Sequence, residues 1–140
     1  MLYRFIFIII LLLSCCSYST KPDTSSWPPV VRTPESIERG KYWTPTEEEQ
    51  SRAEQLARWY ASNRMSLKLS QEKVEKMKTY YTGRVEYGKL IIDIDFYDPE
   101  VFQPDESGHF ETMLGGFPSY FSVTVDVEAW RVVDDYASPE

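Results

Sequence analysis

The chain has 140 residues, of which 22 are acidic and 15 are basic, and its formal net charge is −7. That length allows one small domain with a hydrophobic core, and the aromatic content of 15% favours a folded chain over a disordered one. The negative charge argues against nucleic-acid binding, which needs a basic surface, whereas a basic protein partner would be attracted.

The first sixteen residues predict a secretory signal. Arg4 precedes an apolar run from Phe5 to Leu13, which is too short to cross a bilayer core of roughly 30 Å. The run ends in Leu-Leu-Ser-Cys, and this end resembles the lipobox of bacterial lipoproteins. The resemblance implies that Cys15 is acylated and becomes the mature N-terminus. Cleavage without lipid and an uncleaved anchor are the alternatives.

We therefore expect residues 1–14 to be a signal peptide and residues 15–36 to be the lipidated cysteine and a tether. Residues 37–140 are then a single domain. The tether is rich in Pro, Ser and Thr, which favours an extended polyproline II conformation. Its apolar segment, Trp27 to Val31, either docks on the domain or binds a partner.

The residue after Cys15 is Cys16 rather than aspartate, which resembles the pattern of lipoproteins sent to the outer membrane of Gram-negative cells. We expect a cell-envelope protein that faces the periplasm, with the lipid anchor as its membrane contact. Cys16 is then a lone thiol, either inert or available for an intermolecular disulfide.

Two helices are predicted. The first begins with Thr44 as its N-cap, followed by Pro45 and then Glu47, and it runs to about Asn63 or Met65. Its apolar face consists of Ala53, Leu56, Ala57 and Tyr60, spaced three and four residues apart. A shorter helix follows Ser70 and stops near Gly83, although residues 79–81 would suit a strand equally well.

The strand pattern is clearest in residues 89–97, where apolar side chains alternate with charged ones, as in a half-buried antiparallel strand. Residues 84–87 are the expected partner, with a turn at Tyr87-Gly88, and Asp98-Pro99 ends the strand. Residues 121–126 and 130–135 also alternate, as two strands joined by a tight turn or as one long bent strand. The sequence thus predicts an α+β fold, with one or two N-terminal helices packed on a curved antiparallel sheet of about four strands.

Three short stretches carry a resemblance to a known fold. They are Gly115-Gly116-Phe117-Pro118, residues 121–126 (FSVTVD) and residues 130–133 (WRVV). Together they resemble the end of NTF2-like or cystatin-like domains of small secreted proteins. Some such domains are immunity proteins or enzyme inhibitors, and others bind small ligands or assemble.

The most prominent acidic set lies in and just after the predicted strand at residues 89–97. Asp93 and Asp95 share one face of their strand, and Asp98 begins the loop beyond it. The spacing does not match a calcium-binding EF-hand loop. If Tyr97 and Tyr120 are exposed beside these aspartates, all five residues form an interface for a protein partner. A basic surface on the partner would match the charge of the aspartates.

His109 is the only histidine, and Glu111 lies close to it in sequence. The two are a candidate acid–base or ligand-binding pair, but no nucleophile motif accompanies them. A zinc site here would need three carboxylates in support, which is unusual. We predict no catalytic residue, no metal and no cofactor.

The sequence favours a lipid-anchored envelope protein whose non-catalytic acidic domain binds a protein partner, as an inhibitor or immunity factor. One alternative is a structural accessory of an envelope assembly that docks through residues 27–31. The other is a small-ligand-binding domain with a cavity between helix and sheet.

Overall fold

The computed structural model describes residues 20–64, 69–102, 105–107 and 119–137. Within these ranges the chain is an α+β domain, with one long helix packed on an open antiparallel sheet of five strands. The predicted fold class is confirmed. No helix within these ranges is long and apolar enough to cross a membrane.

The sheet is a simple meander in which each strand pairs with the next one along the chain. The elements in chain order are a 3-10 turn at Pro34–Ser36, β1 (Tyr42–Trp43), α1 (Glu47–Asn63), α2 (Gln71–Lys76), β2 (Lys78–Glu86), β3 (Lys89–Tyr97), β4 (Tyr120–Asp126) and β5 (Arg131–Ala137). The strand that the sequence did not predict is β1, because two residues are too few to show an alternating pattern.

Helix α1 begins two residues later than predicted, with Thr46 rather than Thr44 as its N-cap. Thr46 Oγ1 accepts a hydrogen bond from the backbone N–H of Glu49 at 3.2 Å, and Glu49 Oε2 accepts one from the N–H of Thr46 at 2.8 Å. The sequence holds two overlapping copies of this capping motif, so the local pattern does not choose between them. Arg32, distant in the chain, forms an ion pair with Glu49 and supports the second copy.

Helix α2 starts as predicted, because Ser70 Oγ accepts a hydrogen bond from the N–H of Lys73 at 3.2 Å. It ends at Lys76, so the predicted stop at Gly83 is wrong. The predicted strand at residues 84–87 does pair with β3 as far as Glu86, but it is the last part of a longer strand, β2. Residues 78–86 instead pair with β3 over its whole length. Nine cross-strand pairs outweigh the weak helical periodicity of this segment, because short helices are marginal without tertiary contacts.

The core lies between α1 and one face of the sheet. The helix contributes Ala53, Leu56, Ala57 and Ala61, and the sheet contributes Ile92, Ile94, Phe96, Phe121, Val123 and Val125. The rings of Phe96 and Phe121 stack with centroids 4.6 Å apart. These side chains are all buried, so they fill the interface between helix and sheet. Tyr60, predicted for the same face, lies at the edge of the core and is partly buried.

The segment from Trp27 to Arg32, which we call the strap, packs on the domain. Val30 is 5% exposed, and its N–H donates to the carbonyl oxygen of Val127 at 3.1 Å. The ring of Trp27 meets that of Trp130 edge-on with centroids 5.2 Å apart, and Trp130 Nε1 donates to the carbonyl oxygen of Pro28 at 2.7 Å. Trp27 and Val30 are therefore engaged by the chain's own domain, whereas Val31 is exposed.

Candidate functional site

Helix α1 covers one face of the sheet, and we call the opposite one the outer face. Strand alternation and register place polar side chains there from all four long strands. They are Tyr80, Thr82 and Arg84 from β2, Asp93 and Asp95 from β3, Ser122 and Thr124 from β4, and Asp134 and Tyr136 from β5. The sequence predicted that Asp93 and Asp95 share a face, and the structure places them together here.

The side chain of Asp93 bonds to both neighbouring strands. Its carboxylate forms an ion pair with the guanidinium of Arg84 on β2, and the Oδ1 atom also accepts a hydrogen bond from Thr124 Oγ1 on β4 at 2.6 Å. The hydrogen bond to Asp93 raises the pKa of Arg84. Because Arg84 neutralises the carboxylate and Thr124 is buried, the Thr124–Asp93 contact is not an activated nucleophile.

Asp95 is in a different environment, although it lies on the same face two residues further along. Its Oδ1 atom accepts a hydrogen bond from the hydroxyl of Tyr120 at 2.7 Å. Burial raises the pKa of the Asp95 carboxyl above its ordinary value, while the hydrogen bond from Tyr120 acts in the opposite direction. Burial also raises the pKa of Tyr120. A cation brought to Asp95 would offset the cost of burying its charge.

Asp95 stands in a cross-strand row that ends in a tyrosine on each side. The register pairs Tyr80 with Asp95, Asp95 with Ser122 and Ser122 with Tyr136. The two tyrosines are 38% and 57% exposed, respectively. With strands about 4.8 Å apart, their Cα atoms are roughly 14 Å from each other. The row therefore presents two aromatic rings with a carboxylate between them.

Neither tyrosine of this row was among the predicted site residues. Residue 80 fell within the predicted second helix, and residue 136 lay beyond the expected end of the last strand. Extending the alternation of the last predicted strand would have placed Tyr136 with Trp130 and Val132, which pack in or against the core. An irregularity in the register of β4 and β5 places Asp134 and Tyr136 on the outer face instead. Tyr80 carried no clear signal either, because the helical and extended patterns overlap at residues 79–81.

Tyr97 and Tyr120 lie at one end of the outer face and are 8% and 6% exposed. They form a small cluster with Phe102, whose ring centroid is 6.3 Å from that of Tyr120. The exposed aromatic contact area expected of these two residues is therefore supplied by Tyr80 and Tyr136 instead. Tyr120 still belongs to the site, through its hydrogen bond to Asp95.

Asp98 is separated from the other two aspartates. Its Oδ1 atom accepts a hydrogen bond from the N–H of Glu100 at 2.9 Å, which shapes the turn after β3. It also lines an open groove of about 530 Å³ that runs between this turn and α2, where Lys73 and Lys76 face it across the opening. The groove carries both signs of charge, and none of the residues that line it belongs to the outer face.

Three of the predicted residues, Cys15, His109 and Glu111, lie outside the described residues. Within the described ranges, no group of three or more histidine, cysteine, aspartate or glutamate residues is placed to hold a metal ion.

Comparisons with protein-family models, with curated proteins and with solved structures give no match to this chain. The role of the outer face is therefore inferred from its own chemistry.

Proposed function

We propose that the chain is a lipid-anchored protein of the bacterial cell envelope whose outer face binds a protein partner, as an inhibitor or immunity factor does. The observation that carries the proposal is the row Tyr80–Asp95–Ser122–Tyr136, in which two exposed tyrosines flank a half-buried carboxylate. Tyrosine is among the side chains that most often dominate the binding energy of protein interfaces.

The chemistry of the row favours a partner with a protruding lysine or arginine. The cation would reach Asp95, and the aliphatic stem would lie between the rings of Tyr80 and Tyr136, where a cation–π contact adds to the attraction. Asp93 offers less, because Arg84 already neutralises it. The net charge of −7 would speed the approach of such a partner.

The described residues give less support to the two alternatives. The side chains between α1 and the sheet fill the space in which a small ligand would have to lie. The strap, which a structural accessory would use for docking, is held by Val127 and Trp130 of its own domain. A binding module is the function that fits both observations.

The location of the protein is part of the same proposal and rests on the Leu-Leu-Ser-Cys end of the leader. Cys15 would carry the lipid, and the domain would face the periplasm from the outer membrane. Replacing Cys15 with alanine should abolish metabolic labelling with a fatty acid. Label that persists in Cys15→Ala would contradict the assignment.

The binding proposal is tested by affinity capture from detergent-solubilised envelopes, with quantitative mass spectrometry of the recovered proteins. The wild-type chain should recover a partner in stoichiometric amount. The double variant Tyr80→Ala/Tyr136→Ala should lose it, and Asp95→Asn should weaken the purified complex at least tenfold, which corresponds to about 1.4 kcal/mol.

Tyr87→Ala is the matched control, because it removes a tyrosine that is 98% exposed at the tip of the β2–β3 hairpin and lies off the row. It should recover the partner as the wild type does. Recovery of no stoichiometric partner by the wild type, or equal loss in Tyr87→Ala and the double variant, would count against this use of the outer face.

A further inference from the structure

Residues 21–32 run along α1 in the opposite direction to the helix. The ammonium group of Lys21 lies 5.6 Å from the ring centroid of Trp59, and the guanidinium of Arg52 lies 5.8 Å from that of Trp27. Arg32 then forms its ion pair with Glu49 in the first turn of the helix. Residues closer to the N-terminus of the chain therefore lie closer to the C-terminal half of α1.

This path fixes where a lipid on Cys15 would hold the domain. Five residues lie between Cys15 and Lys21, and the six Cα–Cα steps that join the two span at most about 20 Å when fully extended. The lipid attachment point then lies within about 20 Å of the backbone of Lys21, whose ammonium group lies beside Trp59. The chain therefore leaves the domain towards the anchor from the helical side, opposite the outer face.

The surface found at that place suits a membrane. Two cations lie close to the ring of Trp59, with the ammonium group of Lys21 at 5.6 Å and the guanidinium of Arg64 at 5.7 Å from its centroid. Both cations are exposed, and Trp59 is partly exposed. Tryptophan favours the headgroup level of a bilayer, and lysine and arginine bind anionic lipid there with about 1 kcal/mol each.

We propose that Lys21, Trp59 and Arg64 form a second membrane contact, on the anionic lipid headgroups of the bilayer that holds the anchor. The inference rests on the proposed function, because the anchor at Cys15 sets the distance. The chain as a whole carries a charge of −7 and is repelled by such a surface, so the contact is confined to this basic and aromatic patch. It turns the domain so that Asp95 and its tyrosines face the partner.

The test uses the full lipidated chain reconstituted in vesicles of phosphatidylcholine and phosphatidylglycerol, with or without bromine on the upper acyl chains. Bromine quenches tryptophan fluorescence at close range. Quenching should be present in the wild type and should fall by more than half in Trp59→Phe. Trp43→Phe, at the opposite end of α1, is the control and should leave the quenching unchanged.

Charge reversal gives the second arm. Lys21→Glu/Arg64→Glu should reduce the quenching to the level seen in phosphatidylcholine alone. Arg39→Glu/Lys41→Glu changes the net charge equally at exposed positions elsewhere and should leave the quenching as in the wild type. Equal effects of the two double variants, or undiminished quenching in Trp59→Phe, would overturn the contact.

Fatty-acid labelling and flotation of every sample separate the two proposals. A chain that carries label and floats but shows no Trp59 quenching overturns the membrane contact alone. A wild-type chain without label removes the anchor, and this contact fails with it.

Discussion

The hydroxyl of Tyr120 donates a hydrogen bond to Oδ1 of Asp95 at 2.7 Å, at a place where the sheet has partly removed both groups from solvent. Burial raises the pKa of each. Two residues earlier on the same strand face, Asp93 has a full positive charge beside it, from Arg84. The two aspartates therefore differ in how their charges affect the stability of the fold, although they look alike in the sequence.

We expect Asp95→Asn and Asp93→Asn to change stability in opposite directions at pH 7. A carboxyl whose pKa is raised on folding takes up protons more readily in the folded state, so ionisation at neutral pH destabilises the fold. Asp95→Asn should therefore be at least as stable as the wild type. Asp93→Asn should lose about 1–3 kcal/mol, because Arg84 loses this carboxylate and keeps the ion pair with Glu86.

The effect of the Asp95 charge on stability depends on pH. The folded-state pKa of Asp95 lies above the ordinary 3.8, so its unfavourable effect is absent below pH 3.8 and grows as the pH rises through the folded value. Urea unfolding at several pH values between 3 and 7 measures this. An Asp95→Asn variant that is less stable than the wild type at pH 7 would refute the argument.

Val30 and Val31 test whether the strap is part of the folded domain. They are 5% and 79% exposed, so neighbouring valines differ almost entirely in burial. Val30→Ala should lower the free energy of unfolding by about 1–3 kcal/mol, because it removes buried apolar surface. Val31→Ala should change it by less than about 0.5 kcal/mol. Equal effects in urea titrations would mean that the strap does not dock as described.

Tyr60 links the helix to β5 and should make the fold sensitive to alkali. Its hydroxyl donates to Asp135 Oδ2 at 2.5 Å, and this hydrogen bond raises the pKa of Tyr60 to about 12 from its ordinary value of 10. The folded state keeps the proton longer than the unfolded state does. The stabilisation is therefore complete below pH 10 and is lost between pH 10 and 12.

Two measurements follow for Tyr60→Phe. At pH 8 it should cost about 1 kcal/mol, the usual contribution of a hydrogen bond. Between pH 10 and 12 its stability should fall less steeply than that of the wild type, because one titrating group is gone. Identical slopes in the two proteins, from urea unfolding followed by tryptophan fluorescence, would show that Tyr60 does not carry the effect.

Local pattern was enough for the parts of the fold that are stabilised within a few residues. The alternation of β3 and the turn at Tyr87-Gly88 were predicted, and both central residues of that turn have the positive φ that such a hairpin needs. The cap of α1 and the extent of β2 were not, because each depends on distant partners. Arg32 supports the cap at Thr46, and nine residues of β3 hold β2.

The candidate site shows the same division. That Asp93 and Asp95 share a face follows from the period of a strand and could be predicted. Asp93 is neutralised by Arg84, whereas Asp95 accepts a hydrogen bond from Tyr120 and is not neutralised. Both partners join the face only through the sheet register. The register also brings in Tyr80 and Tyr136, which no spacing along the chain connects.

Gly83 tests how closely β1 approaches the sheet. A Cβ atom at this position would lie 2.4 Å from the backbone oxygen of Trp43, far inside any contact that real side chains make. Backbone cannot rotate away as a flexible side chain does, so Gly83→Ala must push β1 outwards or distort β2. We expect a loss of about 1–3 kcal/mol.

Thr82→Ala, one residue earlier and on the outer face, is the control and should cost less than about 1 kcal/mol. Urea unfolding compares the two variants, and amide hydrogen exchange reports separately on the pairing of β1 with β2. A Gly83→Ala chain with wild-type stability and unchanged exchange would mean that β1 lies further from β2 than described.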